Sequence, residues 1–75
     1  MAKSVQFSAH AKQMIAERGI DEEWVKAVID APEFVRPDQS DPQRICAFGR
    51  IEAFGNRWLR VVFLEVEDAL RVITV

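Results

Sequence analysis

The chain has 75 residues, of which 49% are hydrophobic and 29% charged, a composition typical of a globular domain rather than a disordered segment. This length has room for one core, so we expect residues 1–75 to form a single domain. The formal net charge of −2 argues against broad electrostatic binding of nucleic acid. No apolar run approaches the roughly 20 residues of a membrane helix, and no apolar signal core follows the N-terminus. We therefore expect a cytoplasmic protein that is not membrane-bound.

Cysteine and histidine each occur once, as Cys46 and His10. A single cysteine cannot form an internal disulfide, which is typical of proteins from a reducing compartment. One cysteine and one histidine cannot make a zinc site within one chain. The sequence has no phosphate-binding glycine loop and no Ser-His-Asp set. We expect neither a metal nor another cofactor.

The first half of the chain predicts two short helices. Ser8 is a suitable N-cap for a helix over residues 9–18, and Gly19 is a suitable C-terminal stop. Asp21 is a suitable N-cap for a second helix, which Pro32 ends near residue 30. Each helix has an apolar stripe on one side, so both need a further layer to pack against. The preceding segment, residues 5–7, alternates and predicts either a short edge strand or an extended lead-in.

The second half predicts that layer, a sheet. Apolar alternation favours strands over residues 33–36, 44–51, 58–66 and 70–75, and short turns connect the last three. Consecutive strands with short connections pair antiparallel. The expected fold is therefore α+β, with two N-terminal helices packed on a mostly antiparallel sheet of about four strands. Residues 58–66 are apolar on both faces, which favours a partner protein or a homodimer on the face that the helices leave open.

Four residues are candidates for a functional site. His10 is either a general acid or base, or a packing histidine near the start of its helix. Arg18 lies eight positions further on, about 80° around the helix, and borders the same cleft or complements the helix dipole. Arg60 interrupts an apolar strand, so it is paired with a carboxylate or points into a groove. Arg50 belongs to a set in which every basic residue after residue 27 is arginine, the side chain suited to bidentate phosphate contacts.

The whole ordered pattern resembles a family of small bacterial domains of unknown function, which is distantly similar to the RelE and BrnT toxins of toxin–antitoxin pairs. The resemblance covers nearly the full chain. It rests on Phe7-Ser8-Ala9-His10-Ala11, Glu17-Arg18-Gly19-Ile20, Glu23-Trp24-Val25, Ala31-Pro32-Glu33, Asp41-Pro42, Phe48-Gly49-Arg50-Ile51, Phe54-Gly55-Asn56-Arg57, Leu59-Arg60-Val61-Val62 and Arg71-Val72-Ile73-Thr74. Order and spacing together carry the resemblance, since each piece alone is short.

The resemblance implies a RelE-like fold and a ribonuclease that cleaves mRNA without a metal. By position, it implies His10 and Arg60 as catalytic residues and Arg18 and Arg50 as RNA-binding residues. It also implies an antitoxin-like protein partner. The alternative hypothesis is a non-catalytic module of the same fold, which uses the open sheet face to bind a protein or to dimerise. Clustering of His10, Arg18 and Arg60 in one groove would support the ribonuclease hypothesis.

Overall fold

A computed structural model describes residues 4–75 and contains two helices, one 3₁₀ turn and five strands. In chain order, the elements are β1 Ser4–Phe7, α1 Ala9–Arg18, α2 Glu22–Asp30, β2 Phe34–Pro37, β3 Ile45–Ile51, a 3₁₀ turn Glu52–Phe54, β4 Arg57–Val66 and β5 Ala69–Thr74. With lengths of ten and nine residues, the two α-helices are too short to span a bilayer, and no other helix in the described part of the chain could do so.

Local side-chain chemistry fixes both helix starts and the first helix end, as predicted. The Ser8 hydroxyl accepts the Ala11 backbone N–H at 3.0 Å and donates to the Ile73 carbonyl at 3.0 Å. One serine therefore caps α1 and ties its start to β5. Asp21 caps α2 by accepting the Glu23 N–H at 2.9 Å. Gly19 ends α1 at φ 64°, in the left-handed region that glycine enters without steric cost.

The sheet has five strands in the order β1-β5-β4-β3-β2. This is one strand more than the roughly four expected, and the sheet is mostly antiparallel, as predicted. Strands β2 to β5 pair antiparallel in sequence order, whereas β1 pairs parallel with β5. Residues 4–7 are thus an edge strand and not an extended lead-in. The sequence could not decide between these two alternatives. A parallel pair needs a long connection, and the connection between β1 and β5 is the rest of the domain.

Both helices pack on one face of the sheet. Helix α1 contacts β5 and β1, and α2 contacts β3 and β4. The core between the layers includes Val25 of α2, Val61 of β4 and Val72 of β5, all of which are completely buried. Helix α2 approaches β3 closely because Gly49 has no side chain, and a Cβ there would lie 3.2 Å from a Val28 methyl group. The opposite face of the sheet is covered by neither helix.

Candidate nucleic-acid interface

Strand alternation separates the two faces of the sheet. On β4, Leu59, Val61 and Phe63 belong to the core under the helices, so the side chains between them point to the open face. Residues directly opposite each other on paired strands share a face. The register Phe48↔Arg60 and Arg50↔Trp58 therefore assigns the alternate positions of β3 to the open face as well.

Charged side chains at the strand positions of the open face are all arginine. The pairs Arg36↔Cys46 and Leu64↔Arg71 extend the assignment to β2 and β5. Three aromatic residues lie among the arginines. We call this set the arginine–aromatic face: Phe34, Arg36, Phe48, Arg50, Trp58, Arg60 and Arg71.

The aromatic rings of this face form one continuous cluster. Phe34 and Phe48 are stacked, with centroids 4.6 Å apart and an interplanar angle of 13°. Trp58 meets Phe34 edge-on at 5.8 Å. Phe34 is 50% exposed and Trp58 53% exposed. Two large rings are thus held in place by their neighbours while much of their surface stays open to solvent.

Arginines lie against these rings. The guanidinium carbon of Arg36 is 5.2 Å from the Phe48 centroid, and that of Arg50 is 5.4 Å from the Trp58 centroid. Cation–π contacts of this kind hold a guanidinium at an aromatic surface while leaving donors for other ligands. Cations and flat apolar surfaces therefore alternate across the face.

Glu33 fixes the position of Arg50. Its carboxylate accepts the Arg50 backbone N–H at 2.8 Å, Nε at 3.2 Å and Nη2 at 3.0 Å. These hydrogen bonds lower the pKa of the Glu33 carboxyl and raise that of the Arg50 guanidinium. Arg50 is consequently the most constrained cation of the face, with a carboxylate on one side and Trp58 on the other.

Arg36 and Arg60 flank the buried Cys46, and their charges favour its thiolate. Burial and a 3.6 Å contact from Sγ to the Asp38 carboxylate act more strongly in the other direction and raise the pKa of the thiol. Cys46 therefore stays protonated at neutral pH and is a poor nucleophile. Arg60 itself forms no hydrogen bond or ion pair with another residue in the described range 4–75, and its side chain lies on the open face of the sheet.

His10 and Arg18 are on the other side of the molecule. Both belong to α1, which packs on the helix-covered face, whereas Arg50 and Arg60 belong to the open face. His10 is exposed in the first turn of α1. Arg18 donates from Nη1 to the Val75 main-chain oxygen at 2.8 Å. The structure thus brings Arg50 and Arg60 together but does not bring His10 or Arg18 to them.

Sequence reasoning selected neither Arg36 nor Arg71 as a candidate and gave the aromatic residues no role in a site. The two-residue spacing could have revealed this surface. Phe48 and Arg50 lie two positions apart and so share one face of their strand, as do Trp58 and Arg60 on the next strand. Combining these positions into one surface requires the register between strands. No group of three or more His, Cys, Asp or Glu side chains within residues 4–75 is arranged to hold a metal ion.

The profile of one protein family matches almost the whole chain. The family is described as a domain of unknown function, DUF4258, and its profile matches residues 7–75. The chain belongs to the DUF4258 family. The matched range contains both helices and the complete arginine–aromatic face of this DUF4258 domain. No curated protein and no solved structure is significantly similar to it.

The Glu33–Arg50 contact of the DUF4258 domain predicts a specific pH dependence of stability. Because the pKa of Glu33 is lower in the folded state, its contribution is present above the unfolded pKa of about 4.3 and is lost as the pH falls through the folded value. In thermal unfolding followed by circular dichroism, wild type should melt above Glu33→Gln at pH 7. The difference should shrink between pH 5 and pH 3, and an unchanged difference would contradict the assignment.

Proposed function

We propose that this domain binds single-stranded RNA across the arginine–aromatic face. The observation that carries the proposal is the continuous cluster of Phe34, Phe48 and Trp58 bordered by arginines. Proteins bind single strands by stacking bases on aromatic side chains and by neutralising phosphates in a basic groove. Both elements occur here on one open sheet surface.

The low net charge does not oppose this proposal, because the charges are segregated. Acidic residues dominate residues 1–43, with eight carboxylates and five basic side chains, whereas residues 44–75 have five basic and four acidic. The fold then places four arginines on one face and the carboxylates of α2, such as Glu22 and Glu23, on the other. Two carboxylates also reach the open face, Glu33 at Arg50 and Asp38 at Cys46. The four arginines outnumber them, so RNA approaching this face would meet a net positive charge.

The geometry supports binding of RNA more strongly than its cleavage. Cleavage needs a proton acceptor for the 2′-hydroxyl, a donor for the leaving oxygen, and cations at the phosphate. The open face supplies cations in Arg36, Arg50 and Arg60. His10 lies on the far side, and Glu33 is a weak base because Arg50 lowers its pKa. A RelE/BrnT-like ribonuclease would therefore have to use Arg60 and its neighbours, without His10.

A protein-binding module is the second candidate, and the exposed apolar surface of β2 favours it. Val35 is 55% exposed on this edge strand, on the opposite side of the strand from Phe34, which is 50% exposed. A partner with acidic side chains would suit the arginine–aromatic face. A twofold homodimer through this face is disfavoured, because equivalent arginines of the two copies would lie near one another.

Binding is tested by fluorescence anisotropy with a labelled 12-nucleotide mixed-sequence RNA and an RNA duplex of the same sequence. We expect the single strand to bind more tightly and its affinity to fall with salt. Arg60→Gln should weaken binding and reduce the salt slope by about 0.7, the value for one phosphate contact on a single strand. Gel analysis of the same samples reports cleavage, both for the short RNA and for mRNA with ribosomes.

Arg57→Gln is the matched control for Arg60→Gln. Arg57 is on the same strand but on the opposite face, where its guanidinium lies 4.8 Å from the Phe54 ring centroid. This variant makes the same charge change and should bind as wild type does. Equal losses in both variants would mean that net charge and not the face controls binding. No RNA binding by the folded wild type would refute the proposal and favour the protein-binding module.

A further inference from the structure

A groove of ≈ 590 Å³ opens between α2 and the ends of β1, β4 and β5, on the helix-covered side of the sheet. Its floor is apolar and comprises Val5, Ile29 and Leu70, which pack on the core without being fully buried. Val5 and Leu70 are paired across β1 and β5. The floor is therefore built from two paired strands and helix α2, and not from a loop.

The rim of the groove is acidic. Among the described residues 4–75, Glu23, Asp30 and Glu65 line it together with one cation, Lys26. Lys26 is already engaged, because its Nζ lies 3.4 Å from the Glu23 carboxylate. Glu65 is paired with Leu70 in the strand register, so this acidic residue is a direct neighbour of the apolar floor.

Asp30 is placed where helix formation disfavours it. It is the last residue of α2, and the last turn of that helix has no basic residue. The carbonyl end of a helix carries partial negative charge, which makes a carboxylate unfavourable and a lysine favourable. Asp30 is exposed and makes no hydrogen bond or ion pair within residues 4–75. Asp30 therefore does not stabilise the end of α2, whereas it is well placed to bind a cationic ligand in the groove.

We propose that this groove binds a segment of a protein partner that presents an apolar side chain flanked by lysine or arginine. The apolar side chain would lie on Leu70 and Val5, and a flanking cation would meet Asp30. RNA is not a suitable occupant, because carboxylates at the rim repel phosphate. The groove and the arginine–aromatic face are on opposite faces of the sheet, so one domain can bind RNA and this partner independently.

The test uses the ¹⁵N-labelled full chain and a 14-residue amphipathic peptide of leucine and lysine, with a counterpart in which glutamate replaces each lysine. In heteronuclear NMR at low salt, the lysine peptide should shift the amide signals of Val5, Ile29 and Leu70. The glutamate peptide should not shift them. Asp30→Lys should weaken binding by about tenfold, and its fold is expected to be intact because lysine suits a helix C-terminus.

Glu22→Lys is the control, since it makes the same kind of charge change on α2 outside the groove. Its affinity should stay within about twofold of wild type. Equal weakening by both variants, shifts confined to the arginine–aromatic face, or absence of binding would overturn the proposal. Groove shifts that appear on concentrating the protein alone would instead identify a second copy as the occupant. RNA titration shifts different amides, so failure of either proposal is recognised separately.

Discussion

Replacing Trp58 with alanine is expected to weaken single-stranded RNA binding by about 5- to 150-fold. This range corresponds to the roughly 1–3 kcal/mol that one base–aromatic stack contributes. Trp58 is 53% exposed and is positioned by the Phe34 edge and the Arg50 guanidinium. Its indole is therefore the largest ring surface on which a base can stack. Fluorescence anisotropy with the 12-nucleotide RNA measures the change, and quenching of the tryptophan fluorescence on RNA addition is an independent readout.

Trp58→Phe is the matched control, because it keeps an aromatic ring at the same position. We expect this variant to retain most of the affinity that Trp58→Ala loses. Thermal unfolding should show that both variants remain folded, since the side chain is half exposed and lies outside the core. If Trp58→Ala binds RNA as tightly as wild type, bases do not stack on this ring, and the proposed RNA interface is contradicted.

Leu59→Ala is expected to cause a large loss of stability. Leu59 is 4% exposed and packs in the core between the helices and the sheet. Truncating such a leucine costs about 2–5 kcal/mol, from lost burial and from the cavity left behind. The total free energy of unfolding of a chain of this length is about 4–11 kcal/mol. Urea unfolding followed by circular dichroism should show a much lower midpoint with little change in slope.

Leu64→Ala makes the same substitution on the same strand but on the open face. Leu64 pairs with Arg71 and is only partly buried. We expect its unfolding midpoint to fall much less than that of Leu59→Ala, because fewer contacts are lost. Similar losses in both variants would show that something also covers the open face in solution. That outcome would favour the dimer or partner expected from the sequence over a free RNA-binding surface.

The sequence by itself determined the local elements of this protein. Ser8, Gly19 and Asp21 act within one helical turn, so the helix boundaries are readable without any tertiary information. Two-residue alternation identified β4, and the turn at Glu67 and Asp68 identified its hairpin with β5. These signals are local because each depends on hydrogen bonds or side-chain directions of neighbouring residues.

Only the tertiary structure decided how these elements combine into surfaces. Nothing local to residues 4–7 specifies a parallel partner at β5, because such a pair forms only when the intervening chain has folded. The candidate site also depends on pairing between distant segments. Phe34, Phe48 and Trp58 belong to three strands and become one cluster through their register, while His10 and Arg60 are separated by the sheet. A shift of one residue in any strand would move its side chains to the other face, so pairing between distant segments determines which arginines act together.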